Sequence, residues 1–212
     1  MNIHSVYKIF FRYFRKKRMR KFEEEFHLSD ETHILDVGGS QINWQFLKVK
    51  PHVRVLNLSK PVEWDDGLEN FTFEAGNALH LKDGDLSVEI AYSNSVIEHL
   101  HTWENQKQFA KEILRIGKRI YVQTPAKEFF IEPHVITPFI HWLPLSWQSK
   151  MMRNFTVWGL LTRPSQEFID AFLAERRLLS QKEFKALFPG CGVIVERFMF
   201  LPKSYIAVKN NE

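Results

Sequence analysis

At 212 residues the chain suffices for one α/β domain with a full core and is short for two. Its hydrophobic fraction of 44% and charged fraction of 25% are ordinary for a globular protein, and the single Cys191 excludes an intrachain disulfide and a Cys-rich metal site, which fits a reducing cytoplasm. The net charge of +4 hides an asymmetry: residues 1–21 carry eight basic side chains and no acid, so the remainder is mildly acidic and argues against nucleic acid as a partner.

Ile3, Val6, Phe10 and Phe14 recur at helical spacing, as do Met19, Phe22 and Phe26, which predicts a basic amphipathic helical segment over residues 1–26. Three readings stay open for it: an aromatic stripe packed on the domain, a surface helix drawn to anionic lipid headgroups through residues 1–21, or a transit peptide. Residues 27–212 read as a single domain. Thr32–Val37 is a short apolar run ending at Gly38-Gly39, a buried strand followed by a tight turn. A short helical stretch is expected at Ile42–Leu47, and further strands at Val53–Leu58, Phe71–Glu74 and Val88–Tyr92. Thr102 is placed to cap a helix whose Phe109, Ile113 and Ile116 share one face, with Gly117 as its stop and Arg119–Gln123 as the fifth strand.

Residues 126–164, with Pro133, Pro138 and Pro144 among many aromatics, are expected to be irregular and to form a lid or substrate-binding insertion. Helices follow at Gln166–Leu178 and Lys182–Phe188. Two closing strands, Val193–Phe198 and Ser204–Val208, are joined too tightly to be parallel. Strands alternating with helices predict an α/β, Rossmann-like, mostly parallel seven-stranded sheet with an antiparallel C-terminal strand.

In such a sheet ligands bind beyond the carboxyl ends of the strands. Gly38 and Gly39 let backbone approach a ligand closely, and Asp36 at the strand end suits a cationic group. Ile34-Leu35-Asp36-Val37-Gly38-Gly39 resembles motif I of class I S-adenosylmethionine-dependent methyltransferases. Gly76-Asn77-Ala78 resembles their adenine-flanking segment, and Ser93-Asn94-Ser95-Val96-Ile97-Glu98-His99-Leu100 is similar to the segment after the fourth strand in the type 11 group. Gln123-Thr124-Pro125 followed by Ile131-Glu132-Pro133-His134 is similar to bacterial members of that group. The likeness spans roughly residues 15–208.

The resemblance implies S-adenosyl-L-methionine as cofactor, held by Asp36, Gly38, Gly39, Asn57, Gly76, Asn77, Ala78, Ser93 and Asn94, in a class I methyltransferase fold. It implies methyl transfer to a small molecule or glycan, with oxygen the expected acceptor atom. The chain departs from the family at Ser40, where a further glycine is usual, and at Asn57 and Asn77, where acids are usual. A neutral amide accepts weaker hydrogen bonds than a carboxylate, so the alternative is a non-catalytic Rossmann-like binding or membrane-surface module. A dinucleotide oxidoreductase fits less well, because the third glycine and the acid about 20 residues on are missing.

His99 and His134 are the candidate general bases, since imidazole titrates near neutrality. His99 is equally a helix cap beside a solvated Glu98. Relatives that bind a divalent ion through Glu-x-x-Glu-His have a glutamate where this chain has Ser95, so no metal is expected. The expected location is the cytoplasm, with contact at the inner face of the membrane as an option.

Overall fold

The computed structural model describes residues 3–132, 135 and 137–210, with side chains from residue 12 onward. Seven strands form one sheet: β1 (His33–Val37), β2 (His52–Asn57), β3 (Phe71–Ala75), β4 (Val88–Asn94), β5 (Gly117–Pro125), β8 (Gly192–Phe198) and β9 (Leu201–Lys209). A separate two-stranded ribbon pairs β6 (Ile131–Glu132) with β7 (Thr137–Pro138). The sheet order is β3-β2-β1-β4-β5-β9-β8, and only β9 runs against its neighbours. The antiparallel strand is thus last in the chain yet lies inside the sheet, with β8 as the edge.

Apolar runs bury β1, β4 and β5 on both faces, as a parallel sheet wrapped by helices requires. One face meets α2 (Trp103–Ile116) and α6 (Gln181–Leu187) through Phe109, Ile113, Ile116 and Phe184, all fully buried. Thr102 caps α2 by accepting from the Asn105 amide, and Ser180 with Glu183 forms a reciprocal capping box on α6.

The other face is covered by α1 (Ile3–Glu25) and the 3₁₀ turn Gln41–Phe46. Met19, Phe22 and Phe26 are essentially inaccessible and pack on Trp44, Tyr92 and Tyr121. Each such aromatic contributes roughly 2–3 kcal/mol by leaving water. The second half of α1 is therefore core, and the basic residues Arg12, Lys16, Lys17 and Lys21 are left on its exposed side.

Residues 126–164 depart from the irregular course expected of them. They contain α3 (Leu145–Phe155) and α4 (Val157–Thr162), which pack with α5 (Gln166–Ala174) around Val135, Ile140, Met152 and Ile169. Pro144 precedes α3, and the Thr156 hydroxyl starts α4 by accepting from the Gly159 amide. Pro138 lies in β7 and Pro144 at the start of α3, so both stand ahead of the helices. Among the described residues no helix is long and apolar enough to cross a membrane.

Candidate functional site

The parallel strands deliver their carboxyl ends to one edge of the sheet, and most of the residues singled out in the sequence meet there. Gly38 turns the chain at φ +79°, and its amide donates to the Leu56 carbonyl at 2.7 Å. A Cβ on Gly38 would lie 2.7 Å from both methyls of Val96, so the turn rests directly on the segment after β4. The Ser93 hydroxyl, buried, donates to the Val37 carbonyl at 2.8 Å and ties β4 to β1 below that turn.

Asp36 lies under the turn rather than in front of it. It is fully buried, and Oδ2 accepts from the Trp44 indole N–H at 2.9 Å. Oδ1 is buried without a hydrogen-bond partner. A Cβ on Gly39 would come within 2.0–2.2 Å of this carboxylate, so a side chain is excluded at residue 39 by Asp36 itself. Burial holds the carboxyl well above its ordinary 3.8, at about 7, against the opposing pull of the Trp44 hydrogen bond. Near neutral pH the group is divided between its two forms, and a cation reaching it would drive ionisation.

Asn57, at the end of β2, sends its amide toward the Gly39 carbonyl at 3.4 Å, and its Oδ1 accepts from the next amide, Leu58. Its carbonyl accepts from the Gly76 amide at 3.0 Å, which brings the third segment to the same edge. Asn77 is exposed, and its Oδ1 accepts from the Leu79 amide at 2.9 Å in a local turn beside Ala78. Both asparagines thus use the side-chain oxygen on nearby backbone.

Asn94 belongs to a different network, one invisible in the sequence. Its Oδ1 accepts from Arg18 Nη1 at 2.6 Å. The same buried guanidinium donates to Glu196 from Nε at 3.0 Å and from Nη2 at 2.8 Å. Lys203 lies 3.9 Å from Glu196 and 4.3 Å above the Phe14 ring. Burial, helped by the neighbouring Arg18, lowers this ammonium to about 8. The N-terminal helix is in this way bound to the strand end that carries the post-β4 segment.

His99 ends the short 3₁₀ turn Ile97–His99 and is half-buried. It does not cap α2, because Thr102 does. Nor is Glu98 a solvated helix-end charge. Its side chain is wholly inaccessible and accepts from the Thr124 hydroxyl at 3.1 Å, at the end of β5. Its backbone carbonyl accepts from the Arg177 amide, which draws in the segment after α5. His134 lies outside the described residues, while Glu132 just before it is buried and accepts from the Val135 amide at 2.8 Å. Trp44, Thr124 and Arg18 contact the residues singled out in the sequence but were not themselves foreseen there, and Glu98 was read as solvated. Only Trp44 left a signal, as the aromatic in the helical stretch directly after the glycine turn.

No protein-family model and no curated protein matches the chain. Solved structures do. A SAM-dependent methyltransferase from Archaeoglobus fulgidus superposes with a TM-score of 0.59 at 12% identity, covering 98% of this chain and 100% of that one. A SAM-dependent methyltransferase from Aquifex aeolicus gives 0.52 at 15% identity, covering 90% and 88%. The YcgJ protein from Bacillus subtilis gives 0.54 at 16% identity, covering 84% and 70%. At these identities the likeness establishes the architecture: a class I methyltransferase, Rossmann-like fold.

Proposed function

We propose that the chain is an S-adenosylmethionine-dependent methyltransferase acting on a small molecule or glycan, with oxygen as the acceptor atom. The observation that carries this reading is the buried Asp36 carboxyl with one oxygen unfilled, beneath the Gly38-Gly39 turn at the carboxyl edge of the sheet. A buried acceptor without a donor is rare and calls for a partner. A ligand bearing an ammonium and a sulfonium supplies the charge that such a carboxyl lacks. The residues present therefore fit the cofactor at this turn.

Asp36, Gly38 and Gly39 would hold its cationic end, Asn57 and Asn77 with Gly76 and Ala78 would hold the nucleoside, and Ser93 and Asn94 would shape the floor. When bound, the cofactor supplies an electrophilic methyl group. The chain's own task is alignment: an acceptor held in line and shielded from water gains most of the acceleration that displacement needs. Where the acceptor must lose a proton, His99 or His134 takes it. The α3–α5 segment would bound the acceptor site, a reading supported by its following β5 in the chain. Two of the structural relatives named above, those from Archaeoglobus fulgidus and Aquifex aeolicus, carry the cofactor in their names, and that supports the same reading.

One observation favours the alternative of a non-catalytic module. Asn57 and Asn77 both spend their side-chain oxygens on backbone, where an acid in a relative would face the ligand. Calorimetric titration with S-adenosylmethionine separates the two readings. The proposal expects saturable heat that Gly38→Arg abolishes, since no side chain fits at φ +79° against Val96. A folded wild-type protein that gives no heat refutes it.

A further inference from the structure

We propose that the carboxyl edge of the sheet docks on an anionic lipid bilayer through the β8–β9 hairpin tip and the aromatic corner at Phe139 and Trp142.

The β8–β9 hairpin turns at Met199 and Phe200, which are 77% and 88% exposed. Ser204, just inside β9, pairs with Pro125 at the end of β5, so this tip lies at the same edge of the sheet as the candidate site. Phe139 and Trp142 are each 51% exposed. They join the tip through an unbroken run of ring contacts: Trp142 to Phe139, Phe139 to Phe130, Phe130 to Phe129, and Phe129 to Phe198, with centroids 5.1–6.3 Å apart. Phe198 also meets Phe14 of α1 at 6.0 Å. The link passes through the buried Phe129, so the hairpin tip, the lid corner and the basic helix are tied together by rings that run beneath the surface.

Two features set these exposed side chains apart. Met199 and Phe139 both adopt left-handed backbone, at φ +54° and +62°, where Gly or Asn would be relaxed and where a large apolar side chain is uncommon. Both then point that side chain at solvent. Three of the exposed groups, Met199, Phe200 and Phe139, have no polar atom to offer a protein rim, while Trp142 turns its indole N–H inward to the Lys127 carbonyl at 3.1 Å. An aromatic ring held with its polar handle satisfied suits a membrane interface.

Charge selects the occupant. Lys127 and Arg197 are exposed within the patch, and Arg12, Lys16 and Lys17 are exposed on the adjoining helix. The nearby acids are already engaged, Glu128 by Tyr205 and the Gln181 amide, Glu196 by Arg18. From residue 133 to residue 166 the chain has no acidic residue at all. Apolar insertion plus a basic surround is the two-part signal of reversible binding to anionic lipid, each part insufficient alone. Taken with the reading of this edge as the methyl-transfer site, the mouth of that site opens toward the headgroups, and the acceptor is a molecule presented at the bilayer.

The test is co-sedimentation of the full chain with vesicles of phosphatidylcholine, with and without phosphatidylglycerol. Binding to the phosphatidylglycerol vesicles is expected, weakening as salt rises, with little pelleting on phosphatidylcholine alone. Phe200→Ser is expected to weaken partition about tenfold, and Lys127→Glu to weaken it at low salt, both without a change in melting temperature. Wild type that stays in solution, or pellets as well as Phe200→Ser, overturns the proposal. So does a dimer seen by sedimentation equilibrium that Phe200→Ser dissociates while vesicles pellet nothing, because the surface is then a contact between copies. Vesicle binding needs no cofactor, so failure here leaves the calorimetric test of methyl-donor binding untouched.

Discussion

Asp36→Asn separates what the site residue does for the fold from what it does for a ligand. Burial raises the Asp36 carboxyl from 3.8 to about 7, so in the folded protein the ionised form is disfavoured relative to the unfolded chain. The sign follows from linkage. Below about pH 4 both states hold the proton and the shift has no effect. As pH rises toward 7 the unfolded chain ionises first, and folding stability is progressively lost. Above 7 the loss is complete, and a rise of this size corresponds to about 4 kcal/mol. Asparagine never ionises and keeps an oxygen for the Trp44 indole. Its N–H₂ group takes the position of the unfilled Oδ1, and an unpaired buried donor returns about 1–3 kcal/mol of the gain. The expected outcome is a variant about 1–3 kcal/mol more stable than wild type at pH 8, the advantage fading to nothing or reversing near pH 4. Urea denaturation of both proteins across that range measures it. In the same variant, S-adenosylmethionine binding is expected to fall at least tenfold, because the carboxylate packed against the Gly38-Gly39 turn is gone. A variant less stable than wild type at pH 8 would show that the carboxylate is stabilised by the fold, and the assignment of an unfilled acceptor would be wrong.

Three other substitutions probe the same framework. Gly39→Ala places a methyl within 2.0–2.2 Å of the Asp36 carboxylate, so the turn must shift, and a loss of about 1–3 kcal/mol in urea denaturation is expected together with loss of donor binding. An unchanged midpoint would mean that the turn is looser than its geometry. Phe22→Ala opens a cavity between α1 and the tyrosines of β4 and β5 and is expected to cost about 3–5 kcal/mol in the same assay; a cost under 1 kcal/mol would make α1 a peripheral attachment. Lys203→Met removes an ammonium held at about 8 instead of 10.5. Above pH 10.5 the amine is neutral in both states and the shift has no effect. As pH falls from 10.5 to 8 the unfolded chain takes up the proton first and the folded state is increasingly penalised, fully so below 8, so the variant is expected to gain about 1–3 kcal/mol at pH 7 and nothing above 10.5. Thermal melts at the two pH values read the difference, and an equal gain at both would assign it to packing alone.

The sheet was legible because its evidence is local. The apolar run Ile34–Val37 ends at the glycine pair, the Thr102 cap and the Gly117 stop lie at the ends of one periodic stretch, and the short link between β8 and β9 forces their antiparallel pairing. The same locality made Gly38 legible, since a positive φ needs only its own residue type. Residues 126–164 failed that test. Their prolines announce breaks, and the helices α3 and α4 between the breaks are too short for a period of 3.6 to stand out. Glu98 was misread for a different reason. A carboxylate in a polar-looking segment reads as solvated until the hydroxyl that receives it is known, and Thr124 comes 26 residues later on another strand. The Arg18–Glu196 pair joins residues 178 apart, and no pattern in one sequence connects them.

Those long-range contacts change what the basic N-terminal segment means. Its charges looked like a solvated tract added to the domain, yet Arg18 is buried among Glu196 and Asn94, and Phe14 stands between Lys203 and Phe198. One end of α1 thus fastens the strand end behind the proposed methyl-donor site, and the rings beside it continue into the exposed tip at Phe200. Asp36 sits on the far side of the same helix's packing, because Phe22 contacts the Trp44 that donates to it. A carboxyl buried with an unfilled oxygen and raised to about 7 weakens the fold at neutral pH. Such a group is tolerated where a ligand completes it, as strain and unpaired polarity concentrate at working sites. With Asn57 and Asn77 neutral, the proposed function leaves Asp36 as the carboxylate on which a cationic methyl donor would depend, so its loss is expected to weaken donor binding more here than in a chain that carries all three acids.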